Sequence, residues 1–325
     1  MGTDKRRPKT LMYLLTAGGF VLLFGGGEFL VRGAVAISRR LGISPLLVGM
    51  TVVAFCTSAP ELIVSVQSAL AGNPDISVGN IVGSNICNIA LILGLSALIK
   101  PVTVDRRDVR PDTIMMVLSA FLLLVLGFAG MVVRWEGALM VAALFVYIVI
   151  QYRREMTAGT AETDWHAEET EEFKTRFGLL GSFGAIAGGL GALVVGSDLL
   201  INGATGIAAQ FGVPDAVVGL TVVALGTSLP ELATSAIAAW RGHSDVAVGN
   251  VVGSNMFNVL SILGITAVIT PVNISAQMAR FDIPLMVAVS VFAAVVLLTR
   301  GHFGRLLGGA MLAGYVAYVV FLFAA

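Results

Sequence analysis

Gly49-Met-Thr-Val-Val-Ala-Phe-Cys-Thr-Ser-Ala-Pro-Glu61-Leu62 is followed by Val78-Gly-Asn-Ile-Val-Gly-Ser-Asn-Ile-Cys-Asn88. The same text returns 170 residues later, as Gly219-Leu-Thr-Val-Val-Ala-Leu-Gly-Thr-Ser-Leu-Pro-Glu231-Leu232 and Val248-Gly-Asn-Val-Val-Gly-Ser-Asn-Met-Phe-Asn258. Aligned without a gap, residues 49–94 and 219–264 agree at 25 of 46 positions, far beyond what shared apolar composition gives, so the chain contains an internal duplication. Each copy sets Pro-Glu inside an apolar run. Burying a carboxylate is costly unless something pairs with it, and a cost borne twice at matching positions points to function.

The surrounding chain explains how high that cost is. Of 325 residues, 57% are hydrophobic and 12% charged, against about 25% charged in soluble domains, and the mean hydropathy is +0.91. Apolar runs of roughly 20 residues, long enough to cross a bilayer core as helix, recur throughout. The pattern predicts an all-α polytopic membrane protein with ten transmembrane helices over 11–37, 44–70, 76–99, 113–133, 135–152, 178–208, 214–240, 246–269, 281–299 and 303–324. The first run is too long for a signal peptide and reads as a retained span. One polar stretch, with Glu162, Asp164, Glu168, Glu169, Glu171 and Glu172, divides a first half, 1–152, from a second, 178–325, through a hydrophilic linker, 153–177. Formal net charge is zero, which gives no reason to expect nucleic acid as a partner; the expected surroundings are lipid. Cys56 and Cys87 read as small buried thiols, His166, His243 and His302 as surface residues, and no cofactor motif is present.

Basic residues orient the spans. The first, third, fifth, seventh and ninth connections hold Arg39, Arg40, Lys100, Arg106, Arg107, Arg110, Arg153, Arg154, Lys174, Arg176, Arg241, Arg300 and Arg305, whereas the others hold only Arg134 and Arg280. This places the odd connections in the cytoplasm of a cell membrane and both termini outside it, although Lys5, Arg6, Arg7 and Lys9 vote the other way. Matching motifs lie five spans apart, an odd number, so the copies cross the membrane in opposite directions as two inverted five-helix repeats. Such repeats are typical of secondary transporters with a midplane site between the halves.

The motif supplies oxygen. Proline lacks an N–H and clashes with the carbonyl four residues back, which frees backbone oxygens near Cys56 and Gly226. Thr57 and Ser65 lie one turn either side of Glu61, and Thr227 and Ser235 do the same for Glu231. Hydroxyls, carbonyls and carboxylates suit a hard cation such as Ca²⁺, which takes about 6–8 oxygens. The bland reading is a proline kink with a protonated, hydrogen-bonded glutamate. Against it stand the symmetry and the roughly 2.5–3.5 kcal/mol that a charged side chain costs at the bilayer centre. Ser77, Asn80, Ser84 and Asn88 add a polar stripe at helical spacing, kept in the second copy as Asn250, Ser254 and Asn258. The neighbouring glycines, at 79, 83, 249 and 253, are small-residue packing pairs.

Gly-Thr-Ser-Leu-Pro-Glu with Gly-Asn-x-x-Gly-Ser-Asn-x-x-Asn, doubled in inverted halves, resembles the sodium/calcium exchangers of the cation/Ca²⁺ antiporter superfamily, in a short form without regulatory domains. The resemblance covers nearly the whole chain. It implies a site between the second, third, seventh and eighth helices, alternating access, and Na⁺ entering in exchange for Ca²⁺, with the long first and sixth helices sliding across the core. Carried over, Glu61 and Glu231 are the acidic ligands; Thr57, Ser58, Thr227 and Ser228 add hydroxyl or backbone oxygens; Ala54 and Ala224 offer carbonyls; and Ser84, Ser254, Asn88 and Asn258 complete the site. Two departures stand out: Cys56 replaces the usual glycine, and Asn258 occupies a position where some members have aspartate. The second leaves two acids in the core and argues against potassium co-transport; with three Na⁺ per Ca²⁺ transport would be electrogenic.

Other charges read as structural: Glu28 and Arg32 as an i,i+4 pair, matched by Asp198 and Asn202, and Asp75 and Asp245 as helix-start residues. A Ca²⁺/H⁺ exchanger is the alternative, because burial favours protonated carboxylates that can trade protons for cations. A passive channel would need a continuous polar path. An intramembrane enzyme would need a Ser/His pair, a zinc motif or paired aspartates within spans; no histidine lies in any expected span and Asp198 reads as the only clear aspartate there, so no enzyme is expected.

Overall fold

A computed structural model describes residues 9–158, 179–210 and 224–324. Most of the expected linker (159–177) and the start of the seventh span (214–223) lie outside the described residues. Helices dominate: α1 (Lys9–Leu41), α2 (Pro45–Thr57), α3 (Ala59–Leu70), α4 (Pro74–Ile99), α5 (Arg106–Ala129), α6 (Arg134–Ala158), α7 (Leu179–Gln210), a single turn α8 (Ala224–Gly226), α9 (Leu229–Trp240), α10 (Ser244–Ile269), α11 (Met278–Thr299) and α12 (Arg305–Ala324). Among the described residues eight helices are long and apolar enough to cross a membrane, and the bent pair α2–α3 makes a ninth span. The tenth is the seventh in order, described only as α8 and α9. The expected boundaries shift most at the fourth span, which starts at Arg106 rather than 113 because Asp105 caps it by accepting the Arg107 N–H at 2.7 Å.

Four two-residue strands sort the connections. In the third connection β1 (Val102–Thr103) pairs antiparallel with β4 (His302–Phe303) in the ninth, Val102 opposite Phe303. In the fourth, β2 (Met131–Val132) pairs with β3 (Val272–Asn273) in the eighth. The Thr103 N–H donates to Ser244 in the seventh connection at 3.3 Å, and Ser44 in the first donates from its N–H and hydroxyl to Glu155 at the end of α6. Among the described residues the third, seventh and ninth connections therefore meet, as do the first and fifth and the fourth and eighth, so each of these contacts joins connections of one parity, as the basic-residue count requires.

In lipid no hydrophobic force drives helices together, so association depends on close packing. The antiparallel α1 and α7 achieve it through small residues seven apart. A Cβ on Gly26 would sit 2.8 Å from the Gly189 carbonyl oxygen, and one on Gly19 2.8 Å from that of Gly196; Gly33 faces Ser182 in the same register. With backbone against backbone, α1 and α7 form one unit. Gly249 brings α10 equally close to α2, where a Cβ would lie 2.6 Å from the Leu46 oxygen.

Two charged arrangements go beyond the expected pairs. Glu28 accepts from Arg32 at 2.6 Å, as expected, and also from both Nε and Nη2 of Arg241 at 3.0 and 2.7 Å, tying α1 to the end of α9. Asp112 is buried inside α5, where it accepts from the Tyr147 hydroxyl and from Gln151 on α6; Asp282 in α11 likewise accepts from Tyr318 on α12. Beyond the aspartates of helix first turns, Asp198 is thus joined by Asp112 and Asp282, the former missed because the fourth span starts early.

The strand pairs give a topological test. In a background without Cys56 and Cys87, a membrane-impermeant thiol reagent is expected to label Thr103→Cys and His302→Cys from one face and Asn273→Cys from the other. Labelling of all three from a single face would overturn the arrangement.

Candidate functional site

Both Pro-Glu sequences lie where a helix stops and restarts. Helix α2 ends at Thr57, Ser58 takes φ −83° and ψ 6°, and α3 resumes with Pro60 in its first turn and its axis bent by 44°. Ser228, at φ −88° and ψ 7°, and Pro230 repeat this before α9. Proline is tolerated in a first turn, where the missing N–H has no helical acceptor. The run 44–70, expected as one span, is therefore broken at Ser58 into two helices with two ends, rather than merely kinked as the bland reading has it. Glu61 and Glu231 occupy the first turns of α3 and α9, where the helix dipole favours negative charge.

The carbonyls at the breaks are not left bare. Gly226 O, freed by Pro230, accepts from the Ser197 hydroxyl of α7 at 2.7 Å; Ala54 O keeps its helical bond from the Ser58 N–H at 3.0 Å and also accepts the Thr57 hydroxyl at 3.3 Å. Ala54 is buried, and Ala224 is the first described residue of its span.

The hydroxyls cross between the halves. Ser58 donates to Glu231 Oε1 at 2.9 Å or to Ser254 Oγ at 3.2 Å; Ser228 donates to Glu61 Oε1 at 3.1 Å or to Ser84 Oγ at 3.3 Å. Thr57 reaches Asn250 Oδ1 at 3.2 Å, and Thr227 reaches Asn80 Oδ1 at 3.4 Å. The stripe asparagines then seat the restarted helices. Asn80 donates to Ser65 Oγ at 2.9 Å and to the Glu61 carbonyl, and Asn250 donates to Ser235 Oγ at 2.8 Å and to the Glu231 carbonyl. Ser65 and Ser235, expected on the cation-facing side, instead hold these amides.

One turn beyond Ser84 and Ser254, Asn88 and Asn258 donate to Asn255 and Asn85 at 3.0 and 2.9 Å. The last two belong to the repeated text but fall one residue off the stripe, so face periodicity alone passed over them. Both glutamates are 1% exposed. Among the described residues eight buried side-chain oxygens lack a hydrogen-bond partner, and four of them lie in this site: Glu61 Oε2, Glu231 Oε2, Asn88 Oδ1 and Asn258 Oδ1; the others are the hydroxyls of Ser77, Ser96, Thr113 and Thr234. The four in the site form two symmetric pairs, and leaving each such group unpaired costs roughly 1–3 kcal/mol or more. Among the described residues no group of three or more His, Cys, Asp or Glu side chains is placed to hold a metal. Any cation here would rest on two carboxylates plus neutral oxygens, a donor set suited to a hard ion.

The chain matches the family model described as sodium/calcium exchanger protein over residues 11–153 and 181–324. It is 34% identical to the inner membrane protein YrbG of Escherichia coli over 308 residues, 94% of each chain. It is 30% identical to the sodium/calcium exchanger MaX1 of Methanosarcina acetivorans, covering 97% of this chain and 99% of that one. A solved structure of the sodium-calcium exchanger NCX_Mj, soaked with 10 mM Na⁺ and 10 mM Sr²⁺, superposes with a TM-score of 0.81 at 29% identity, over 96% of this chain and 99% of the other. The likeness runs through both halves, and the inverted ten-helix architecture is shared.

The seat formed by Asn250 is fully buried, while that of Asn80 is partly open. Asn250→Ala removes the amide that donates to Ser235 Oγ and to the Glu231 carbonyl and leaves Thr57 only the Ala54 carbonyl, and each buried polar group left unpaired costs about 1–3 kcal/mol. The substitution is expected to lower the thermal unfolding midpoint in detergent by several degrees, and Asn80→Ala by less because solvent can replace the amide. Equal shifts would contradict the difference in burial.

Proposed function

We propose that this chain, which belongs to the sodium/calcium exchanger family, exchanges Na⁺ for Ca²⁺ by alternating access at the paired glutamates. Its family is one of membrane antiporters rather than enzymes. The observation that carries the reading is the set of four buried, partnerless oxygens on Glu61, Glu231, Asn88 and Asn258. Nothing in a purely structural role calls for symmetric orphans at the centre of a bundle, whereas a visiting cation would give such oxygens the partner they lack.

In this reading Ca²⁺ draws on Glu61 and Glu231, whose two negative charges match its own, and on the oxygens of Asn88 and Asn258. Ser58, Ser228, Ser84 and Ser254 already touch the carboxylates or one another, and their hydroxyls, with those of Thr57 and Thr227, can turn to bring the count toward the roughly 6–8 that Ca²⁺ takes. Na⁺ needs fewer oxygens and less charge. It would divide among the same groups and the carbonyls of Ala54 and Ala224. Exchange follows because the two loads compete for one set of carboxylates. The glycine-packed α1–α7 unit lies across α9 and is suited to slide as a body and open the site to each side in turn. The halves 1–152 and 178–325 then act as the two inverted units, joined by the 153–177 linker, with the basic odd connections in the cytoplasm and both termini outside.

MaX1 is named for sodium and calcium, and NCX_Mj was solved with Na⁺ and Sr²⁺; both favour sodium coupling over proton coupling here. The Ca²⁺/H⁺ alternative rests on one feature, that Glu61 and Glu231 are buried carboxylates able to take up protons.

In proteoliposomes loaded with Na⁺, an outward Na⁺ gradient is expected to drive ⁴⁵Ca²⁺ uptake, and Glu61→Gln and Glu231→Gln are each expected to abolish it. Uptake that survives both substitutions sinks the reading. Uptake driven by a pH gradient without Na⁺ transfers it to proton exchange.

A further inference from the structure

Beneath the glutamates four asparagines interlock across the pseudo-twofold axis. Asn85, Asn88, Asn255 and Asn258 are each no more than 2% exposed. An asparagine amide offers one acceptor and two donors, and only its partners decide which end faces which way. Here the partners leave no choice. Asn255 directs its Nδ2 at the Asn85 backbone carbonyl, at 3.3 Å, and at Met116 Sδ; Asn85 directs its own at the Asn255 carbonyl, at 3.4 Å, and at Met286 Sδ. Carbonyl oxygens and thioether sulfurs only accept, so both amide nitrogens must point there. That turns Asn255 Oδ1 toward Asn88 and Asn85 Oδ1 toward Asn258. Asn88 and Asn258 answer with their NH₂ groups, at 3.0 and 2.9 Å, and their own Oδ1 atoms are left facing away, as two of the four partnerless oxygens of the site.

We propose that Asn85 and Asn255 are positioning residues, which turn the carbonyl oxygens of Asn258 and Asn88, and not their NH₂ groups, toward the transported cation. The proposal rests on the exchanger reading. An amide free to rotate would present its NH₂ end part of the time, and a donor facing a cation repels it. The connection is crossed: Asn85 orients Asn258 of the other half, not Asn88 on its own helix, and Asn255 orients Asn88. Because the Asn85 backbone carbonyl survives side-chain replacement, Asn255 and hence Asn88 keep their orientation when the Asn85 side chain is removed.

The crossing gives a test that general destabilisation cannot mimic. Half-saturating Ca²⁺ for ⁴⁵Ca²⁺ uptake is measured on the full chain in proteoliposomes. Asn85→Leu, which roughly conserves volume, is expected to raise it about tenfold, the scale of one well-placed hydrogen bond lost near a charge, with the maximal rate largely kept. Asn85→Leu combined with Asn258→Ala should be no worse than Asn258→Ala alone, while Asn85→Leu combined with Asn88→Ala should show the product of the single effects. Multiplicative effects in both pairs, or an unchanged half-saturation in Asn85→Leu, overturn the proposal. If Asn85→Leu does not fold, as judged by thermal unfolding in detergent, the mirror set of Asn255→Ala with Asn88→Ala and with Asn258→Ala makes the same comparison. Wild-type protein that neither takes up Ca²⁺ nor is thermally stabilised by it would instead refute the exchanger reading; an active wild type with uncrossed coupling refutes only the role of Asn85 and Asn255.

Discussion

A carboxylate oxygen enclosed by protein within a membrane must find a partner or remain a standing cost, and here one oxygen of each central glutamate has none. The other oxygen of each accepts from a serine hydroxyl of the opposite half, and a hydroxyl is neutral and cannot offset a charge. Uncompensated buried charge costs several kcal/mol. The arrangement is therefore incomplete until a cation supplies the missing interaction or a proton removes the charge. Breaking α2 from α3, and α8 from α9, keeps that cost bearable, since each glutamate lies in a helix first turn where backbone dipoles favour it. The same breaks supply the hydroxyls, so one local device, Thr-Ser-x-Pro-Glu, makes both the charge and its surroundings.

The hydrogen bonds show why two copies are needed. Ser58 serves Glu231 and Ser228 serves Glu61; Thr57 meets Asn250 and Thr227 meets Asn80. Neither half completes its own site. Inversion then gives alternating access a simple physical basis, because a motion that opens one half's path is related by near-symmetry to one that closes the other's. The halves are related but unequal. Glu28 is held by Arg241 as well as by Arg32, whereas the positions matching Glu28 and Arg241 are Asp198 and Ala71, a pair that cannot form an ion pair. Under the proposed alternating access, unequal ties would make the two end states differ in energy, and ion binding would work on that difference.

Much of this was legible in the sequence. The duplication, its inversion and the helical count follow from apolar run length and from basic residues, properties that depend on the bilayer and not on packing detail. Glu61 and Glu231 stood out because lipid makes carboxylates rare. Packing supplied what was harder to read. Ser65 and Ser235 share a helical face with the glutamates and were expected beside the ion, yet Asn80 and Asn250 claim them. Asn85 and Asn255 looked like ordinary motif text because their partners lie on the opposite repeat, and no periodicity within one helix reports a contact between residues 170 apart. Arg241 was read as a loop charge, since nothing in the sequence says that its loop ends beside Glu28. Asp112 was missed because a capped helix began seven residues before the apolar run.

The charge of the site carries one further consequence. With Asn at 258 as well as at 88, the core holds two acids, and the asparagines contribute oxygen without charge. One Ca²⁺ leaves the ionised pair neutral, as do two Na⁺; a third Na⁺ leaves it positive by one. Under the proposed exchange, the number of sodium ions carried would decide whether the sodium-loaded state feels the membrane potential, which acts with about 2.3 kcal/mol per charge per 100 mV. An aspartate at either asparagine position would shift that balance by one charge without altering the fold. Orientation matters for the same reason: in a site this sparsely charged, an amide that turns its NH₂ end inward loses a ligand and adds a positive dipole together. A core with few charges must control its dipoles, and the interlocked asparagines beneath the glutamates are placed to do so.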